Sequence, residues 1–193
     1  MTLLDSLVAQ GKRAFFEPRQ AAADMLALGI PREALAPALL LVVVVSVLLS
    51  AASDMITPPP VEISYFRMAL LIMVIFTSFS FAIAKIGQMM GGVGSFADSV
   101  LLAVFFQAIF IPFQTAQVLL TILSPELAAM LALGIILFGF WINVNFIAAL
   151  HGYETLGRAL GVLILASVAV AFFLVLVSPF LGISLTSGGA ASV

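Results

Sequence analysis

Charged residues are spaced so widely along this chain that five uncharged, apolar stretches remain between them. Each stretch reaches about 17 residues or more, which is the length of helix that crosses the hydrocarbon core of a bilayer. The chain is 64% hydrophobic and 8% charged, whereas soluble domains carry about 25% charged residues. A soluble fold and intrinsic disorder are therefore excluded. The sequence predicts an all-α integral membrane protein with five transmembrane helices and an N-terminal amphipathic interfacial helix.

The charges also set the bounds of the predicted spans. We expect spans at 35–53, 68–84, 99–125, 127–150 and 159–182. The second is short, but Arg67 and Lys85 flank it and can extend their charged groups to the two interfaces. Pro112 predicts a tilt or kink in the third span. The domain organisation is then a cytoplasmic interfacial segment over 1–34, a membrane domain over 35–182 and a short flexible tail over 183–193.

The distribution of basic residues predicts the orientation of the spans. If the N-terminus is cytoplasmic, six of the seven basic residues lie on the cytoplasmic side, as the positive-inside rule requires. These six are Lys12, Arg13, Arg19, Arg32, Lys85 and Arg158. Only Arg67 then lies outside, and the C-terminus is on that opposite side.

Apolar residues recur at helical spacing in the first 16 residues, opposite a few charged ones. The apolar positions are Leu3, Leu4, Leu7, Val8, Phe15 and Phe16, and the charged ones are Asp5, Lys12 and Arg13. This pattern is typical of an interfacial helix and not of a signal peptide. Pro18 should end that helix, and a second short helix is expected over 19–28 with Gly29 as its cap.

Several classes of function have no candidate residues in this sequence. No charged residue falls in the middle of a predicted span, so ion-coupled pumping lacks its carboxylates. The net charge of −2 argues against nucleic-acid binding. The chain has no cysteine and one histidine, so no metal-binding, cofactor-binding or catalytic set of residues is visible. We predict that the protein is not an enzyme.

Polar residues inside the spans are the candidates for an intramembrane site. Gln107, Gln114 and Gln117 lie on roughly one face of the third span, whereas Asn143 and Asn145 point to different sides of the fourth. They could line a polar pathway, bind a partner, or form hydrogen bonds between helices. We favour the last interpretation, because such bonds are common between membrane helices.

Two features lie at the predicted cytoplasmic ends of the spans. His151 follows the fourth span, and we interpret it as a structural histidine that contacts the last carbonyls of that helix. The loop over 91–96 is rich in glycine but lacks the Lys-Ser/Thr of a nucleotide-binding loop. We expect a flexible connection, with Ser95 or Asp98 capping the third span.

Three sequence segments resemble the Yip-domain family, which is named for its interaction with Ypt/Rab GTPases. They are Phe16-Glu17-Pro18-Arg19, the loop Gly91-Gly92-Val93-Gly94-Ser95-Phe96-Ala97-Asp98, and Trp141 followed by His151-Gly152-Tyr153 and Gly157-Arg158-Ala159-Leu160. The resemblance covers residues 16–182 and implies five spans with a cytosolic N-terminus. Eukaryotic members act in vesicle trafficking and carry a motif around Asp-Leu-Tyr-Gly-Pro. This chain lacks that motif, which favours a bacterial-type member in the bacterial inner membrane.

We therefore expect a non-enzymatic protein that scaffolds other membrane proteins or shapes the bilayer. Its partners would be the lipid bilayer and another membrane protein or complex. Candidate contacts with partner or lipid are Lys12, Phe15, Phe16, Arg19, Gly91, Gly92 and Tyr153, and the family motif adds Trp141, His151, Gly152, Gly157 and Arg158. The alternatives are passive transport of a small molecule or lipid along a groove of the glutamines and Asn143, and a GTPase-linked trafficking adaptor. A membrane-embedded enzyme that uses His151 ranks last.

Overall fold

The computed structural model describes residues 10–59 and 64–177. A short helix, α1 (Pro18–Ala27), and a 3₁₀ turn at Arg32–Ala34 precede five long helices. The long helices are α2 (Leu35–Ile56), α3 (Tyr65–Met89), α4 (Phe96–Leu123), α5 (Pro125–His151) and α6 (Leu156–Val177). All five are long and apolar enough to cross a membrane. The predicted fold class is confirmed: the protein is an all-α integral membrane protein.

The second span is longer than the charges indicated. The sequence predicted 68–84, whereas α3 runs over Tyr65–Met89 and includes both flanking basic residues. At 1.5 Å per residue a helix of this length spans about 37 Å, more than the roughly 30 Å of hydrocarbon. Arg67 and Lys85 therefore lie within the helix but near its two ends. A charge marks where the hydrocarbon stops, and the helix continues past it.

The helix α4 is at the centre of the bundle. It packs against α2, α3, α5 and α1. In its most apolar 18-residue stretch 44% of the residues are buried, against 22% in the corresponding stretch of each other span. The outer pairs are α2 with α3, α3 with α6, and α5 with α6. The helix also continues through Pro112 without interruption. The side chains of the other helices that contact α4 therefore form the core of the bundle.

Serine side chains cap the turns between helices. Ser95 and Asp98 form a reciprocal capping box at the start of α4, whereas the sequence predicted a cap from one or the other. Ser124 ends α4 and also caps α5, since its hydroxyl oxygen accepts from the Leu127 N–H at 3.3 Å. These caps satisfy N–H groups that the helix itself leaves unbonded.

One end of the bundle gathers the last turn of α3, the start of α4, the end of α5 and the start of α6. Lys85 and Arg158 lie there, so we call it the basic end. The segment 10–27 packs along the bundle from this end. Ala21 and Ala22 of α1 are fully buried, and α1 contacts α5 and α4. Helix α1 matches the short helix expected over 19–28, and Gly29 follows it with a positive φ of 62°.

Part of the predicted N-terminal helix and the end of the last span lie outside the described residues. These are Leu3, Leu4, Asp5, Leu7 and Val8, position 182 and the tail over 183–193. Helix α6 starts at Leu156, earlier than expected, and is described to Val177.

Candidate functional site

The glycine-rich loop follows α3 at the basic end and is held there by hydrogen bonds. Gly91 has a φ of +86°, a left-handed conformation that glycine adopts without strain. The Gly92 N–H donates to the carbonyl of Gly87 at 2.8 Å, and the Gln88 amide donates to the carbonyl of Gly94 at 2.8 Å. The expectation of a flexible connection did not include these bonds, because none of them is visible in the local sequence.

The loop closes over the imidazole of His151, the last residue of α5. The residue is buried, with 2% of its surface exposed. The Gly94 N–H donates to Nδ1 at 3.2 Å, so Nδ1 is an acceptor and the proton of the neutral ring is assigned to Nε2. Nε2 then donates to the carbonyl of Ile83 in α3 at 3.2 Å. Both ring nitrogens are therefore bonded within the protein, and their partners belong to α3 and the loop rather than to the last carbonyls of α5, which the sequence analysis expected.

Three glycines leave the space that this ring fills. A Cβ on Gly87 would lie 2.6 Å from Cδ2 of His151 and closer still to Nε2, and one on Gly92 would lie 2.5 Å from Cβ of His151. A Cβ on Gly94 would lie 2.9 Å from Cε1 of the same ring. Real Cβ atoms do not approach other heavy atoms closer than 3.0 Å, so any larger residue here must displace the histidine.

Tyr153 covers the other face of the imidazole. The two rings are stacked, with centroids 5.4 Å apart and planes inclined by 26°. The Tyr153 hydroxyl donates to the carbonyl of Gly87 at 2.7 Å. Burial raises the pKa of this hydroxyl and Arg158 lowers it to a smaller extent, so the group keeps its proton and remains a donor. We call Gly87, Gly92, Gly94, His151 and Tyr153 the His151 cluster.

Arg19 joins α1 to the same end of the bundle. Its guanidinium donates to the backbone carbonyls of Tyr153 and Glu154, the latter at 3.3 Å. These carbonyls follow the C-terminal end of α5, where a positive charge interacts favourably with the helix dipole. Arg19 thus bonds to the backbone at Tyr153 of the His151 cluster and at the residue that follows it.

The three segments that carry the family resemblance therefore meet at one end of the bundle. Arg19 comes from the first, the glycine loop is the second, and His151 and Tyr153 come from the third. A family model for the Yip1 domain matches residues 12–178. The chain belongs to the Yip1 domain family. No curated protein and no solved structure matches it.

The other motif residues of this Yip1 domain lie on α5, at its C-terminal end and on the first turn of α6. Gly152 ends α5 with a φ of +67°, which lets the chain turn towards α6. Trp141 is 40% exposed, and its ring lies 5.8 Å from that of Phe138. Gly157 and Arg158 are exposed on the first turn of α6, and a Cβ on Gly157 would meet nothing within 4 Å. The glycines that pack closely against His151 are those of α3 and the loop.

Three glutamines share one face of α4, and this face lies against α2. The Gln107 amide nitrogen donates to the Ser46 hydroxyl oxygen at 2.9 Å and to Oε1 of Gln114 at 3.5 Å. Gln114 and Gln117 line a cavity of about 190 Å³. Its other polar lining residues are Ser46, Ser50, Ser53 and Thr121. The glutamine face forms hydrogen bonds between helices and also encloses a small polar space.

The two asparagines lie apart from the glutamines and from each other. Asn143 lines a separate cavity among α3, α4 and α5. Asn145 lines a cavity beside α1, and its amide nitrogen donates to the carbonyl of Trp141 at 2.9 Å. The structure thus brings three of the five intramembrane polar residues together. Within residues 10–59 and 64–177, no group of three or more His, Cys, Asp or Glu side chains is placed to hold a metal ion.

Sequence reasoning missed Gly87 and the carbonyl of Ile83, which belong to α3. A glycine in a helix interior lowers helix stability by about 1 kcal/mol, and this cost at Gly87 was the available signal. A backbone carbonyl carries no sequence signal, so Ile83 could be found only in the structure.

Phe15 and Phe16, both predicted to contact partner or lipid, differ sharply in their surroundings. The Phe15 ring lies 5.5 Å from Phe113 and 5.2 Å from Phe138, between α4 and α5. Phe16 is 87% exposed. Lys12 lines an apolar cavity of about 520 Å³ between this segment, α2 and α4.

We expect Phe15→Ala to lower the free energy of unfolding by about 3 kcal/mol, because it removes a packed aromatic ring. Phe16→Ala is the matched control and should change it by less than about 0.5 kcal/mol. Unfolding in mixed detergent micelles, followed by circular dichroism, measures both. Equal effects of the two substitutions would contradict the placement of Phe15 in the bundle.

Proposed function

We propose that this Yip1 domain is a non-enzymatic membrane scaffold that binds a transmembrane helix of a partner protein. The observation that carries the proposal is a lateral groove of about 690 Å³ between α3 and α6. Its walls are almost wholly apolar. They include Met73, Thr77, Phe81, Ala82, Ala169 and Phe173.

The shape and lining of the groove favour a helix as its occupant. Thr77 and Ala169 are small and exposed, and Ser78 satisfies its hydroxyl by donating to the carbonyl of Val74 at 2.6 Å. Small residues let two helix backbones approach closely, which is how membrane helices associate. The groove follows α3 from Met73 to Lys85, a straight run of about 18 Å.

Lys85 adds a charge to one end of this groove. The side chain is exposed, and among residues 10–59 and 64–177 it forms no ion pair. A partner helix with an aspartate or glutamate at the same membrane depth would pair with it. Because a charge near hydrocarbon is costly without a partner, this pair would favour one orientation of the bound helix.

The His151 cluster supports a structural rather than a catalytic role for its residues. Both ring nitrogens of His151 and the hydroxyl of Tyr153 are engaged in bonds within the protein. Passive transport has weaker support, since Gln114 and Gln117 line one cavity and Asn143 lines another. A GTPase-linked trafficking adaptor would bind a soluble GTPase instead of a membrane helix, so partner capture separates the two.

The test is site-specific photo-crosslinking in native membranes. A photoreactive amino acid at Thr77 or Ala169 should yield one defined protein adduct, because both positions line the groove. The control position is Leu133, which is 59% exposed on α5. It does not line the groove and should yield only lipid adducts.

A second variant tests whether the groove itself is needed. Ala169→Trp should fill it and reduce recovery of the adduct at Thr77 by about tenfold, since a bulky ring prevents close approach of helices. The proposal fails if Thr77, Ala169 and Leu133 give the same adducts, or if Ala169→Trp leaves the yield unchanged.

A further inference from the structure

A cavity of about 740 Å³ lies between α1 and α5 at the basic end. We call it the α1 cavity. Unlike the groove between α3 and α6, it is lined by charged, amide and aromatic side chains together. They include Arg13, Phe16, Glu17, Arg19, Trp141 and Asn145. The scaffold function described above uses none of these residues.

Arg19 supplies a positive charge to this cavity that no carboxylate neutralises. Its guanidinium donates to the carbonyls of Tyr153 and Glu154, which are uncharged acceptors. In the part of the chain that the structure describes, Arg19 has no ion-pair partner. A guanidinium has five N–H groups, so donors remain for a bound anion. Arg19 forms a positive pole on one side of the cavity.

A neighbouring group of three side chains carries the opposite sign. The Arg13 guanidinium pairs with Glu17 at 2.8 Å and with Asp24 at 2.7 Å. One cation and two carboxylates leave a net charge of −1 on this group. Because Arg19 contributes +1, the surroundings of the cavity are neutral overall but dipolar. A zwitterion with separated charges matches this distribution better than a simple anion.

Asn145 provides an additional acceptor in the wall. It is 8% exposed, and its amide nitrogen donates to the carbonyl of Trp141. Its amide oxygen has no hydrogen-bond partner among the described residues. Because Asn145 lines the cavity, this oxygen is available to accept a hydrogen bond from an N–H or O–H donor of a ligand.

Aromatic residues connect the cavity to the lipid. Phe16 is 87% exposed and Trp141 is 40% exposed, and both lie in the lining. Exposed tryptophan is typical of the boundary between headgroups and hydrocarbon. The cavity therefore opens where a lipid can place its headgroup inside and its chains along α5.

We propose that the α1 cavity binds a phospholipid whose headgroup combines a phosphodiester with a primary ammonium, as in phosphatidylethanolamine. The phosphodiester accepts hydrogen bonds from Arg19, since guanidinium and phosphate form strong charge-assisted pairs. The ammonium lies on the side of Glu17 and Asp24 and donates to the Asn145 amide oxygen. The family motif at Phe16-Glu17-Pro18-Arg19 then has a role in lipid binding as well as in packing.

The test measures lipid retention by the whole protein in detergent with native mass spectrometry. The probes are phosphatidylethanolamine, phosphatidylcholine, phosphatidylglycerol and diacylglycerol with identical acyl chains. We expect phosphatidylethanolamine to be retained about tenfold better than diacylglycerol, which lacks the phosphate. It should also exceed phosphatidylcholine, whose quaternary ammonium has no N–H to donate.

Two variants and one control locate the site. Arg19→Gln should remove the advantage of phosphatidylethanolamine over diacylglycerol, and Asn145→Leu should remove its advantage over phosphatidylcholine. Arg32→Gln removes an exposed positive charge outside the cavity and should leave retention unchanged.

Three results would overturn the proposal. The first is equal retention of diacylglycerol and phosphatidylethanolamine by the unmodified protein, and the second is preference for phosphatidylglycerol, which would indicate attraction of any anion. The third is unchanged lipid selectivity in folded Arg19→Gln. If Arg19→Gln does not fold, the comparison of the four lipids on the unmodified protein and the selectivity of Asn145→Leu still test the proposal.

Discussion

Gly87→Ala should destabilise the protein by about 3 kcal/mol, because the added methyl group overlaps the His151 ring. The ring has no free direction in which to move. Its Nε2 is bonded to Ile83 and its Nδ1 to Gly94, and Gly92 closes a further side. The measurement is the free energy of unfolding in mixed micelles, taken from the denaturing-detergent midpoint.

Gly134→Ala is the matched control for this substitution. Gly134 is also in a membrane helix, and a Cβ there would meet nothing within 4 Å. Alanine is the better helix former by about 1 kcal/mol, so this variant should be as stable as the original protein or more so. Similar destabilisation by both substitutions would show that the steric argument at Gly87 is wrong.

His151→Ala should cost about 4 kcal/mol, the largest effect that we expect of a single substitution in this Yip1 domain. It removes a buried ring, leaves the Gly94 N–H without its acceptor, and removes the donor that joins α5 to the Ile83 carbonyl. These effects act on the contact between α3, the loop and α5. Unfolding in mixed micelles, as for Gly87→Ala, measures this loss of stability.

The two substitutions should also be strongly non-additive. Once His151 is alanine, the space beside Gly87 is empty, so Gly87→Ala should cost less than about 1 kcal/mol in that background. A double-mutant cycle gives this coupling directly. If the two costs simply add, the ring and the glycine are not in contact, and the interpretation of the His151 cluster as a packed unit fails.

These expectations change how the family motif is interpreted. From the sequence, His151, Tyr153 and the glycine loop could be taken as a binding surface. In the structure they join α3, the glycine loop and the end of α5 at the basic end. The lateral groove between α3 and α6 and the α1 cavity remain for partners and lipid.

Sequence patterns predicted the parts of this protein that depend on neighbouring residues. A helix cap at Ser95 or Asp98 follows from two residues within one turn, and the shared face of the glutamines follows from helical spacing. The extent of α3 was underestimated, because a long basic side chain is compatible with a helix that continues beyond the hydrocarbon. Phe15 and Phe16 looked equivalent, because adjacent residues give no sign of which will meet another helix.

By itself, the sequence determined that the chain lies in a membrane and crosses it with five helices. A helix that crosses a bilayer needs a long apolar stretch, and its backbone hydrogen bonds form within that same stretch. Both requirements concern residues close together in the chain, so the sequence alone reveals them. Only the tertiary structure decided that His151 bonds to Ile83 and Gly94, and that Arg19 reaches the carbonyl of Tyr153. Those contacts join residues far apart in the chain, and they exist only once the helices have packed against one another.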